Sequence, residues 1–153
     1  MLPVAIAPAG PDDTGELLTL QRAAFVTEAQ LYDDPRLPAL VETVEELRAA
    51  LGLALTARSG PRLVGSVRAR VSDGVLHVGR LVVAPDQQGR GIGTTLLAAV
   101  ERAAGPGAHT AALFTGHRSA GNLRLYARAG YLEQRREPVD DALTFVHLAK
   151  PLR

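Results

Sequence analysis

The most constraining feature of this chain lies between residues 76 and 104, where the apolar stretch LHVGRLVVAP gives way to DQQGRGIG and then to TTLLAAVERAA. The order is strand, glycine-rich loop, helix. Gly89, Gly91 and Gly93 remove side chains where the helix begins. Unpaired backbone N–H groups and the positive end of the helix dipole can then close directly on a phosphate. The segment reads as an anion cradle.

The flanking sequence supplies the other elements. Val4–Ala7 reads as a short strand. Asp13-Thr-Gly-Glu16 resembles a capping box, and Leu17, Leu20, Ala24 and Phe25 fall on one stripe of a helix near 14–28. Thr43-Val-Glu-Glu46 repeats the start signal for a second helix, with Gly52 as its stop. Between them, residues 29–40 carry Tyr32, aspartates and prolines, which suits a loop. Leu53–Arg58 and Leu63–Val71 read as strands around Ser59-Gly60-Pro61, and Asp73-Gly74 signals a hairpin into Val75–Ala84. The helix 94–104 buries Leu96, Leu97 and Val100 and ends at Gly105-Pro106-Gly107. A strand His109–Thr115, a helix Ser119–Ala129 and a hairpin of Tyr131–Glu137 with Leu143–Lys150 complete the chain. The order β-α-α-β-β-β-α-β-α-β-β predicts an α/β (α+β) fold, a mixed sheet with helices on its faces.

Composition narrows the chemistry. The 153 residues suit a single domain, 1–153, and no apolar run reaches the ~18–20 residues needed to cross a bilayer. Leu2–Ala9 is too short and is broken by Pro3 and Pro8. A cytoplasmic protein with no membrane partner is expected. With no cysteine there is no disulfide and no acyl-cysteine intermediate, so any group transfer is direct or uses another nucleophile. A formal charge of +1 and few aromatic residues argue against a nucleic-acid partner. The four histidines show no metal-ligand spacing, so no metal is expected.

Gln88-Gly89-Arg90-Gly91-Ile92-Gly93 fits Arg/Gln-x-x-Gly-x-Gly/Ala between a strand and a helix. Together with the element order, the Val83-Ala84-Pro85 strand exit, Asn122, Tyr126 and Gly130-Tyr131, it makes nearly the whole chain resemble the GNAT superfamily of N-acetyltransferases. The resemblance implies a mostly antiparallel sheet of about seven strands flanked by four helices. It implies acetyl-coenzyme A as co-substrate, lying across splayed fourth and fifth strands with its pyrophosphate on Gln88–Thr94. Arg90 and Gln88 side chains would add hydrogen bonds there, Leu81, Val82 and Val83 would flank the pantetheine arm, and Asn122 would contact the coenzyme. The expected acceptor is a small-molecule or peptide amine, and homodimers are common in the family.

Tyr126 follows Asn122 by four residues, so both project from one helix face. The resemblance gives this tyrosine the role of protonating the departing thiolate; a merely packed aromatic is the alternative. The acceptor amine must be neutral to attack, which at neutral pH costs about 4 kcal/mol for a pKa near 10. Some family members present a glutamate on the fourth strand just before the pantetheine-binding residues, but here that position holds Arg80. His77, through a water chain, and Glu28, at the end of the first helix, are the candidate bases. A sheet-face histidine and a solvated helix-end glutamate are the plain alternatives. Arg118, following the fifth strand, is a candidate for a carboxylate or phosphate, His109 and His147 fit ordinary strand positions, and Tyr131 reads as core.

A dinucleotide site fits poorly, because Thr94 or Leu96 stands where G-x-G-x-x-G needs its third glycine. Two readings stay open beside a small-amine acetyltransferase: a non-catalytic acyl-coenzyme A sensor and an acetyltransferase of protein N-termini.

Overall fold

A computed structural model describes residues 3–153; Met1 and Leu2, where the single-domain reading and the Leu2–Ala9 segment begin, lie outside the described residues. Seven strands form one sheet: β1 (Val4–Pro8), β2 (Leu53–Ser59), β3 (Arg62–Ser72), β4 (Val75–Val83), β5 (Thr110–Gly116), β6 (Leu132–Pro138) and β7 (Thr144–Pro151). The helices are α1 (Thr14–Leu31), α2 (Pro38–Val41), α3 (Val44–Ala49), α4 (Ile92–Ala103) and α5 (Ala120–Arg128). Among the described residues, no helix is long and apolar enough to cross a membrane.

The expected order of strands and longer helices is present. The segment expected as loop gains the one-turn helix α2, started by Pro38, while α1 runs on to Leu31. The capping box at Thr43 forms, with Glu46 N–H donating to Thr43 Oγ1 (3.1 Å) and Thr43 N–H to Glu46 Oε1 (2.9 Å). The one expected at Asp13 does not. A 3-10 turn, Pro11–Asp13, precedes α1, and Asp13 instead accepts from Gly10 N–H (2.8 Å) and Arg58 (2.9 Å).

Strand order is β1-β2-β3-β4-β5-β7-β6, and every neighbouring pair is antiparallel except β4 and β5. The last hairpin therefore inserts its second strand beside β5. Asp73 (φ 51°) and Gly74 (φ 77°) both adopt the left-handed conformation that a two-residue hairpin between β3 and β4 requires. The parallel pair is short: Val75, Leu76 and His77 face Thr110, Ala111 and Ala112, and beyond them the strands separate. This fork is the central fact of the topology.

Two apolar clusters sandwich the sheet. Leu96, Leu97 and Val100 of α4, at most 1% exposed, pack on Val64, Val67, Leu76 and Val78. At ~1.5–3 kcal/mol for each fully buried aliphatic side chain, this seam anchors the helix that carries the loop. Leu17, Leu18 and Leu20 of α1 with Leu47 of α3 cover Leu63, Val82 and Ala84 on the other face. Within β4 the alternation changes at Arg80. Leu76 and Val78 belong to the α4 cluster, yet Val82 belongs to the α1 cluster, because β4 bulges against β3 and Arg80 takes φ 47°.

Candidate active site

The glycine loop reaches α4 through backbone that few residues other than glycine adopt: Gly89 has φ 78° and Gly91, the N-cap, φ 82°. No side chain caps α4, and no N–H from Gln88 to Thr94 has an acceptor among the described residues. Among the described residues, a Cβ on Gly89 or Gly91 would meet nothing within 4 Å beyond the adjoining chain, and both glycines line an open cleft. Unsatisfied donors, the positive helix end and empty space together make an anion site.

The loop borders a cleft of about 690 Å³. Leu81, Val82 and Val83 form its β4 wall, Gln88, Gly89 and Ile92–Thr94 its floor, Asn122 and Leu125 its α5 wall, and Phe25 and Glu28 its α1 wall. Gln88 Nε2 donates to the Val83 carbonyl (3.3 Å) and Asn122 Nδ2 to Thr115 Oγ1 (3.2 Å). Arg90 turns away from the wall toward Gln87 Oε1 (3.3 Å). Gly93 is needed for packing instead, since a Cβ there would press on Leu125 Cδ1 at 3.0 Å.

Tyr126 lies one turn beyond Asn122 with its ring buried, 6.0 Å edge-on from that of Tyr131. Its hydroxyl has no hydrogen-bond partner among the described residues. Burial, and then the nearby charge of Glu28, push its phenol up to about 12, so it keeps its proton at neutral pH. Tyr131 is core, as expected, with its hydroxyl donating to Glu101 (2.7 Å).

Glu28 is not a free helix-end carboxylate. Ser119 Oγ donates to it at 2.9 Å, and the Tyr32 hydroxyl lies 2.8 Å from the same Ser119 oxygen. Tyr32 is buried at the C-cap of α1 and also accepts the Arg118 N–H (3.0 Å). Ser119 read in sequence only as the first residue of a helix; it is the N-cap of α5, yet its hydroxyl donates to Glu28 and makes no cap hydrogen bond. Arg118 lines the cleft.

His77 is the last β4 residue paired with β5, so it sits at the crotch of the fork. It opens onto a second cavity rather than the cleft beside the loop. Arg80, also on that cavity, has a buried Nε that lies 3.9 Å from Glu42 and has no partner among the described residues. Glu42 accepts from Arg68 (2.6 Å) and Gln21 (2.9 Å). Burial alone would raise the Glu42 carboxyl, but those hydrogen bonds and the charges of Arg68 and Arg80 hold it below the usual range. Sequence reasoning missed the Gln21, Glu42 and Arg68 cluster, because nothing in their spacing of 21 and 26 residues marks it.

A short parallel pair that forks beside a glycine loop and an uncapped helix N-terminus gives the chain a cleft bordered by backbone donors, chemistry suited to an anionic group. The sequence model of the Acetyltransferase (GNAT) family matches residues 16–131, and the chain belongs to that family. Solved structures agree in fold. The PaiA N-acetyltransferase of Thermoplasma acidophilum, in complex with coenzyme A, superposes with a TM-score of 0.81 at 18% identity, over 95% of this chain and 98% of that one. YncA of Salmonella typhimurium, a putative acetyltransferase with acetyl-CoA, gives 0.76 at 19% identity over 99% and 95%. The ribosomal-protein-S18-alanine N-acetyltransferase of Escherichia coli gives 0.78 at 17% identity over 98% and 94%. No curated protein matches the sequence. The seven-stranded, mostly antiparallel sheet is the fold that the resemblance implied.

Proposed function

We propose that the chain is a single-domain N-acetyltransferase that moves an acetyl group from acetyl-coenzyme A to a primary amine by direct attack in a ternary complex. The observation that carries this reading is the set of amides from Gln88 to Thr94 at the start of α4, without acceptors among the described residues and on the wall of the cleft beside the β4–β5 fork. The family match and the coenzyme-bound neighbours support the choice of co-substrate.

The amides of Gly89, Gly91, Ile92, Gly93 and Thr94 would hold the pyrophosphate, with Gln88 at the rim. Leu81, Val82 and Val83 would run beside the pantetheine arm, and Asn122 would reach it from α5. The thioester supplies an electrophilic carbonyl. The amine nitrogen bonds to that carbon, the carbon–sulfur bond breaks, and the products are the N-acetyl amine and the coenzyme A thiol.

His77 takes the proton that the attacking amine loses; its position at the crotch, with no hydrogen-bond partner for its ring among the described residues, supports this role. Tyr126 gives the sulfur its proton, and exchange with solvent returns one from the imidazole to the phenol. Glu28 acts through Ser119 and through its charge on Tyr126 as a positioning group. Arg80 leaves its own strand position without a carboxylate base, so His77 is the proton acceptor of the fork.

Calorimetry with coenzyme A, followed by thiol release from acetyl-coenzyme A across an amine panel, tests the reading. Binding with turnover of at least one amine is expected. Binding without any turnover would favour an acyl-coenzyme A sensor, and no binding would overturn the proposal.

A further inference from the structure

The second cavity, of about 710 Å³, opens on the sheet face opposite α4, where α1 stops covering the strands. Its wall carries four guanidinium groups, Arg68, Arg70, Arg80 and Arg135, against one carboxylate, Glu42. That carboxylate is already taken. Arg68 binds it through both nitrogens, at 2.6 and 3.2 Å, and Gln21 adds a third donor at 2.9 Å. At 3.9 Å, Arg80 is too far to hydrogen-bond it, and its buried Nε has no partner among the described residues. Arg70 and Arg135 form no ion pair among the described residues. A half-buried guanidinium left short of an acceptor is costly, and a bidentate carboxylate is the group that best matches its geometry.

The position of this unused charge relates it to the fork. Arg70 is the cross-strand partner of His77, Arg80 follows His77 by three residues at the bulge, and all three line the same cavity. Ala112, opposite His77 on β5, and the exposed ring of Phe114 form an apolar wall beside them.

We infer that the acceptor is a small amine that also bears a carboxylate, which Arg70 and Arg80 hold so that the amine lies beside His77 at the fork. The inference rests on the acetyltransferase reading above and names its acceptor class. Phe114 receives the apolar part of such a molecule, and Arg135 adds positive charge at the rim.

Free amino acids, each paired with its own primary amide, test this, because the pair differs in the carboxylate while keeping the amine. Binding to the coenzyme A-loaded protein is followed by NMR shifts, and turnover by thiol release. The acids are expected to bind at least tenfold tighter than the amides. Arg70→Gln and Arg80→Gln are expected to remove most of that preference, Arg80→Lys to restore part of it, and coenzyme A affinity to stay within twofold throughout. Equal binding of acids and amides, or a preference that survives both glutamine substitutions, overturns the inference. Absence of coenzyme A binding would instead sink the acetyltransferase reading. In that case the same pairs titrated into the free protein still decide whether the cavity selects a carboxylate.

Discussion

The Tyr32 hydroxyl lies 2.8 Å from the Ser119 hydroxyl, joining the end of α1 to the start of α5 across 87 residues of chain. Because Ser119 gives its proton to Glu28 and Tyr32 accepts the Arg118 N–H, the phenol must donate to Ser119. The result is a one-way relay, Tyr32 to Ser119 to Glu28, along the edge of the cleft.

Replacing Tyr32 with Phe strips the Arg118 amide of its acceptor and Ser119 of its donor. About 1–3 kcal/mol of stability is expected to be lost, measurable as a lower urea midpoint with unchanged slope. Gly116→Ala should cost more, since its Cβ would overlap the Tyr32 ring and hydroxyl.

Gly91→Val tests the cradle. The φ of 82° makes any β-branched residue strained, yet among the described residues no atom beyond the adjoining chain lies within 4 Å of the new Cβ, so the fold survives at a cost of roughly 1–3 kcal/mol. Coenzyme A affinity is expected to fall at least tenfold by calorimetry, because the side chain occupies the approach to the free amides.

Tyr126→Phe is expected to lower kcat by about 10²-fold or more with little change in coenzyme A affinity. The tyrosine also leaves a mark on stability. Its folded pKa of about 12 exceeds the ordinary 10, so its stabilisation is complete below pH 10 and is lost as pH rises toward 12. Tyr126→Phe should flatten that alkaline decline, worth up to about 3 kcal/mol, in denaturation profiles between pH 9 and pH 12 (about the range of the shift).

Glu42→Gln leaves Arg68 and Arg80 facing each other without their shared counter-charge, and is expected to destabilise by about 3 kcal/mol. The carboxyl is held low in the folded state, so its contribution is full above its unfolded pKa and disappears as pH falls through the folded value. Acid denaturation of the wild type should therefore show a limb below about pH 4.5 that the glutamine variant lacks.

The loop at 88–94 and the helix after it were legible because their signals are local: glycines at a strand exit, then an apolar stripe whose Leu96, Leu97 and Val100 are all buried. The Thr43 box was equally readable, while the Asp13 box was not, because Arg58, from a strand 45 residues away, competes for that carboxylate. His77 was visible as a strand histidine, but its place at the crotch depends on where β5 leaves β4. Glu28 was legible as a candidate base at the end of a helix, but its bond to Ser119, 91 residues distant, was not.

Sequence alone determined the order of the elements, the glycine loop that opens α4 and the family, since backbone conformation and helix polarity follow from residues adjacent in the chain. Tertiary structure decided the fork, the bulge that turns Arg80 toward Glu42, and the second cavity with its surplus of guanidinium groups. Those features arise from pairing and burial between segments far apart in sequence, where each side chain's charge and exposure are set by neighbours that no local pattern names.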